Sequence, residues 1–144
     1  MSLTCILCKV MESILREAIV NHLTENSLLL SQHGFMKNKS CVTNLLEYPE
    51  ALRKLVDEGH NIDIVYCDFA KVPVRRLLVV MEAHGITRKV LEWVEKWITG
   101  RKQRVVLNGK MSDWSEVVSG VVQGSCLGPT LFLIFINTIN NTME

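Results

Sequence analysis

From Val117 to Met143 the chain carries no charged residue, and Leu131 to Ile136 within that stretch is an unbroken apolar run. The run is far short of the roughly 20 residues needed to cross a bilayer, and Ser119, Gly120, Gln123, Gly124, Gly128, Pro129 and Asn137 interrupt the rest. A helix over about Leu127 to Asn140, apolar on every face, must be covered by the remaining fold or by something else. With 144 residues, one domain's core is within reach, burying roughly two thirds of the unfolded chain's surface. A hydrophobic content of 48% with only 8 Gly and 3 Pro excludes collagen-like or disordered character.

Charge says little about partners. Sixteen Lys and Arg face 15 Asp and Glu, a net charge of +1, which leaves room only for a local basic patch. Five cysteines, Cys5, Cys8, Cys41, Cys67 and Cys126, lack framework spacing. That fits a reducing compartment, so an intracellular setting, nucleus or cytoplasm, is expected. Cys5 and Cys8 have the spacing of a metal or redox pair, but His22 and His33 do not stand at finger distance and no second such pair follows. No basic flank leading into a long apolar stretch marks a signal peptide at the N-terminus, and no membrane partner is expected.

Ile14, Leu15, Ala18, Ile19 and Leu23 recur at helical spacing, which predicts a helix over 12–23 with Glu12, Arg16, Glu17 and Asn21 on its outer surface. Residues 26–40 read as a loop or a short extended element. A second helix is expected over 42–57 on Leu45, Leu46, Leu52, Leu55 and Val56, where Pro49 must kink it, restart it or weaken it by about 3 kcal/mol. Residues 62–67 read as a mostly buried strand ending at Asp68. Helices follow over 74–84 and after Thr87, the latter striped by Val90, Leu91, Val94, Trp97 and Ile98, with Trp93 and Trp97 as packing residues. Asn108-Gly109 predicts a tight hairpin turn between Val105 to Leu107 and Trp114 to Val118, basic at its base through Arg101, Lys102 and Arg104.

Strand ends are where α/β chemistry concentrates, so Asp68, the turn after Gln123 and the basic loops form the candidate site. A carboxylate near backbone donors and arginines suits magnesium-assisted nucleotidyl transfer; the alternative for a single aspartate is a cap or surface role. No histidine pairs with a nucleophile as acyl transfer requires, and Cys67 and Cys126 read as small buried groups.

The order of these pieces resembles a known family. QHGFMKNKSCVTNLLE from Gln32, DIVYCDFAK from Asp63, VPVRRLL from Val72, HGI from His84, WVEKWITGRKQRVVLNGKMSDW from Trp93 and SGVVQGSCLGPTLFLIFIN from Ser119 look like the reverse transcriptase of non-LTR retrotransposons of jockey and LINE type. KVMESILREAI from Lys9 extends the resemblance over nearly the whole chain. It implies a mixed α+β fold, with fingers-like helices over 1–61 and a partial palm over 62–144, its helices packed on a small antiparallel sheet. By the resemblance, Asp68 is the catalytic and metal-binding carboxylate for Mg2+. Gln123, Gly124 and Ser125 form the turn that positions the incoming deoxynucleoside triphosphate. Lys37, Lys39, Arg101 and Arg104, with Lys102, grip an RNA template, DNA primer or triphosphate.

The sequence also departs from the family. Lys71 runs directly into Val72-Pro73 where the family has a longer segment, Met36 stands in place of an arginine and Val122 in place of a proline, and Pro49 falls inside a family helix. Glu144 precedes the paired aspartates of the next palm hairpin. The expectation is therefore an RNA-directed DNA polymerase fragment, inactive by itself, with an open sheet edge and a half-covered Leu127 to Ile136 helix that favour self-association. The alternatives are a catalytically dead nucleic-acid-binding remnant and a translated element fragment without a role.

Overall fold

The computed structural model describes residues 4–29, 32–66 and 71–138. The chain divides into two compact units, one formed by residues 4–29 with 71–138 and the other by residues 32–66. In order come helices α1 (Ile6–Glu25), α2 (Cys41–Asp57), α3 (Val74–Ala83) and α4 (Arg88–Ile98). Four two-residue strands follow, β1 (Lys102–Gln103), β2 (Val106–Leu107), β3 (Lys110–Met111) and β4 (Ser115–Glu116), and then α5 (Gly128–Asn137). The architecture is the mixed α/β arrangement expected, helices with a small antiparallel sheet.

The larger unit is organised around α5. Leu127, Leu131 and Ile134 have no exposed surface, and Thr130, Leu133, Phe135 and Asn137 are buried too. The helix is thus enclosed within this unit, against the expectation that it would lie half covered. Leu77 and Met81 of α3, Val94 and Ile98 of α4, and Ile19 and Leu23 of α1 complete the core. Asn137 Nδ2 donates to the Leu28 carbonyl at 2.6 Å, which ties the end of α5 to the exit from α1.

Helix α1 begins earlier than periodicity suggests, with Cys5 as its N-cap. Glu12 is wholly buried, a correction to its expected surface position. The helix termini reuse one device. After α1, α2 and α3 the chain turns with paired backbone bonds, Leu28 to Leu23 and Ser27 to Thr24, His60 to Leu55 and Gly59 to Val56, Ile86 to Met81 and Gly85 to Glu82. Gly59 and Gly85 supply the positive φ that this closure needs, whereas α1 places Ser27 there at φ 53. His22 and His84 support the same ends: His22 Nε2 donates to the His84 carbonyl at 2.8 Å and His84 Nδ1 to the Val80 carbonyl at 2.7 Å.

The hairpin forms as the Asn-Gly pair predicts. Asn108 and Gly109 both have positive φ, β2 pairs with β3 next to the turn, and β1 pairs with β4 at the base, in register Lys102 with Glu116. Between the two pairs Ser112 Oγ accepts from the Val105 amide at 2.9 Å.

In the smaller unit, Ser40 and Thr43 close a reciprocal capping box at the start of α2, which runs through Pro49 as one helix. His33 is buried and meets Thr43 Oγ1 through Nδ1 and Glu47 Oε2 through Nε2, each at 2.8 Å. No residue of α2 is buried, so the stripe of Leu45, Leu46, Leu55 and Val56 is exposed. Residues 62–66 do not form the expected strand, and Ile64, Val65 and Tyr66 are exposed. Alternating apolar residues fix a strand only when a neighbour takes up their backbone groups, and no ladder includes this segment among the described residues. Tyr66 instead meets Tyr48, hydroxyl to hydroxyl at 3.4 Å, a bond that raises the Tyr48 phenol above its usual range.

Two stability tests follow from this packing. Leu131→Ala should cost about 2–5 kcal/mol through lost burial and a residual cavity, while Leu45→Ala should stay within about 0.5 kcal/mol. Equal shifts of the urea midpoint for the two would contradict the burial described. Ser27→Gly should raise stability by up to about 1 kcal/mol by relieving the positive φ; a lower midpoint would show that the serine is not strained.

Candidate functional site

The segment leading into α5 is a braced turn. Ser125 Oγ donates to the Val122 carbonyl at 2.6 Å and accepts from the Gly128 amide at 2.9 Å. Its hydroxyl is buried in that role, so Ser125 shapes the turn from within. Gly128 must lack a side chain, because a Cβ there would stand 2.6 Å from Ser125 Oγ and 2.7 Å from the Val122 carbonyl oxygen. Gln123 and Gly124, by contrast, are exposed. Gly124 has φ 82, and a Cβ would meet nothing within 4 Å, so the glycine serves the backbone path and leaves open space before it.

Glu12 holds this turn from the other side. Its Oε2 accepts from the Cys126 amide at 2.7 Å across 114 residues of sequence, and its Oε1 is buried without a hydrogen-bond partner. A backbone amide partly withdrawn from solvent needs an acceptor for its N–H, and α1 supplies it. Sequence reasoning missed both Glu12 and Gly128. The signal for Glu12 was present, since it stands seven and eleven residues before Ile19 and Leu23, on the face those residues bury. Cys126 is exposed, a correction to its expected burial.

The basic residues have unequal roles. Arg101 is spent on the fold: Nε donates to the Ile98 carbonyl and Nη2 to the Gly120 carbonyl, at 2.7 and 2.6 Å, and partial burial lowers its guanidinium from the usual range. These bonds join the base of the hairpin to the strand of chain entering the Gln123 turn. Arg104 lies over the Trp114 ring, 4.6 Å from its centroid, and Lys102 is exposed beside it in sequence. Trp93 and Trp97 stack on each other at 5.8 Å as packing residues.

Lys37 and Lys39 are exposed in the smaller unit, where Lys39 Nζ lies 3.7 Å from Glu47 Oε2. Asp68 and Cys67 lie outside the described residues, as does the link from them to Lys71. Among the described residues no group of three or more His, Cys, Asp or Glu side chains could hold a metal ion, so they offer no magnesium site of their own. Nor, among them, is any helix long and apolar enough to cross a membrane.

Gly128→Ala tests the geometry of the turn. The added methyl must displace backbone as well as a hydroxyl, at a cost of about 1–3 kcal/mol, read as a fall in the urea midpoint; an unchanged midpoint would mean that the turn is not packed this closely.

Comparison with curated proteins and with solved structures gave no match. Comparison with family models matched residues 1–144 to reverse transcriptase (RNA-dependent DNA polymerase). The braced turn before an enclosed helix and the hairpin beside it therefore sit in a chain that belongs to the reverse transcriptase family.

Proposed function

We propose that the chain carries part of a nucleotidyl-transfer site of the kind found in non-LTR retrotransposons of jockey and LINE type, which extends a DNA primer on an RNA template. The single observation that supports this reading best is the Gln123-Gly124 turn. It is fixed from within by Ser125 and Glu12 yet presents Gln123 and open space to solvent, as a surface for an incoming nucleotide requires. Asp68 is the carboxylate assigned to the chemistry, with Mg2+ as the metal that goes with the family. Among the described residues no cluster of ligands stands ready for that metal.

A two-metal site needs more carboxylates than Asp68, and no two adjacent aspartates occur in the 144 residues. These residues assayed by themselves should therefore not extend a primer. The reading retains nucleic-acid binding, carried in the larger unit by Lys102 and Arg104, whose exposed charges can meet phosphate.

The test is binding of an RNA template annealed to a DNA primer across a salt series, with primer extension measured in parallel. Affinity should fall steeply with salt, and Lys102→Glu with Arg104→Glu should weaken it roughly tenfold or more. Arg101 is unsuited to this test, because its loss also breaks two backbone bonds. Binding indifferent to salt would reject the reading, and magnesium-dependent extension abolished by Asp68→Asn would overturn the inactivity of the isolated residues.

A further inference from the structure

We propose that Cys5 and Cys8 are a redox-active dithiol that reacts with low-molecular-weight disulfides and closes to an internal disulfide. The pair stands at the start of the 20-residue α1, Cys5 as the extended N-cap and Cys8 three residues on. The Cys8 amide donates to Cys5 Sγ at 3.4 Å, so the first sulfur sits where the helix offers an unpaired donor and a positive dipole end. Cys5 is exposed and Cys8 is half-buried behind it, the order of access expected of an attacking and a resolving sulfur.

The two thiols are tuned apart. The Cys8 amide, and then the Cys8 thiol, lower the Cys5 thiol. The same thiol contact raises Cys8, helped by the charge of Cys5, burial and the charge of Glu12. Cys8 therefore keeps its proton until a base removes it. Glu12, one helical turn further along α1, is wholly buried, and its Oε1 finds no hydrogen-bond partner, Cys8 included, among the described residues; its charge acts on the Cys8 thiol through space.

In the reaction, the Cys5 thiolate attacks one sulfur of a disulfide such as glutathione disulfide. The disulfide bond breaks, and one small thiolate leaves and is protonated by solvent. Cys8 gives its proton to solvent, and the Cys8 sulfur attacks Cys5 Sγ. The mixed disulfide breaks, and the second small thiolate leaves and is protonated by solvent. Two electrons move from the protein's sulfurs to the small disulfide, with one disulfide bond made and one broken.

The test treats the reduced chain with glutathione disulfide, quenches with an alkylating agent and reads the peptides by mass spectrometry. Cys41 is the internal control, an exposed thiol that opens α2 but has no second cysteine one turn on. The chain should form a Cys5–Cys8 disulfide roughly tenfold faster than Cys41 takes up glutathione. Cys8→Ser should trap glutathione on Cys5, and Cys5→Ser, which keeps a capping side chain, should abolish the fast reaction. Cys5 reacting no faster than Cys41, or both Cys5 and Cys8 ending as separate glutathione adducts, would overturn the dithiol.

Discussion

An apolar helix with no polar face can exist in water only if other elements enclose it, and α5 imposes that requirement on the larger unit. Leu127, Leu131 and Ile134 are removed from solvent entirely, and α3 and α1 come together to achieve this although more than 40 residues separate them in sequence. Polar ties then fix the arrangement that burial alone leaves loose. Asn137 holds Leu28, His22 holds the end of α3 through His84, and Glu12 holds Cys126. Each tie pairs a buried donor or acceptor whose desolvation would otherwise count against folding.

The same enclosure shapes the candidate site. Because α5 must start close to its neighbours, the chain reaches it through a turn tight enough to exclude a side chain at Gly128 and to draw Ser125 inward. The inward side of that turn is filled by Ser125 and Glu12, and what remains for a ligand is the outward side, Gln123 and the space before Gly124. A rigid scaffold presenting a short exposed turn is the usual division of labour between packing and binding.

Much of this was legible in the sequence, and the reasons for the exceptions are specific. Asn108-Gly109 fixed its turn because two consecutive positive φ values leave few residues eligible. The uncharged stretch announced α5 because nothing else in the chain could be buried on all sides. Glu12 was misplaced since charge was weighed above position, although its partner, a backbone amide 114 residues away, has no side-chain signature. Residues 62–66 have strand composition without strand structure, which shows composition acting as a permission that only a neighbouring strand converts into structure. Arg101 looked like its neighbours Lys102 and Arg104, and only its two carbonyl partners separate a structural arginine from exposed charges.

Glu12 links two parts of the chain that are otherwise unrelated in sequence. One of its oxygens is committed to the turn carrying Gln123, and the other lies buried on the helix that begins with Cys5 and Cys8. Burying a carboxylate is costly, and a hydrogen bond from a backbone amide supplies part of the compensation that water no longer provides. The charge of Glu12 in turn helps to raise the Cys8 thiol, after the larger effects of Cys5 and of burial. A single side chain, Glu12, therefore joins the turn before α5 by a hydrogen bond and the start of α1 by charge.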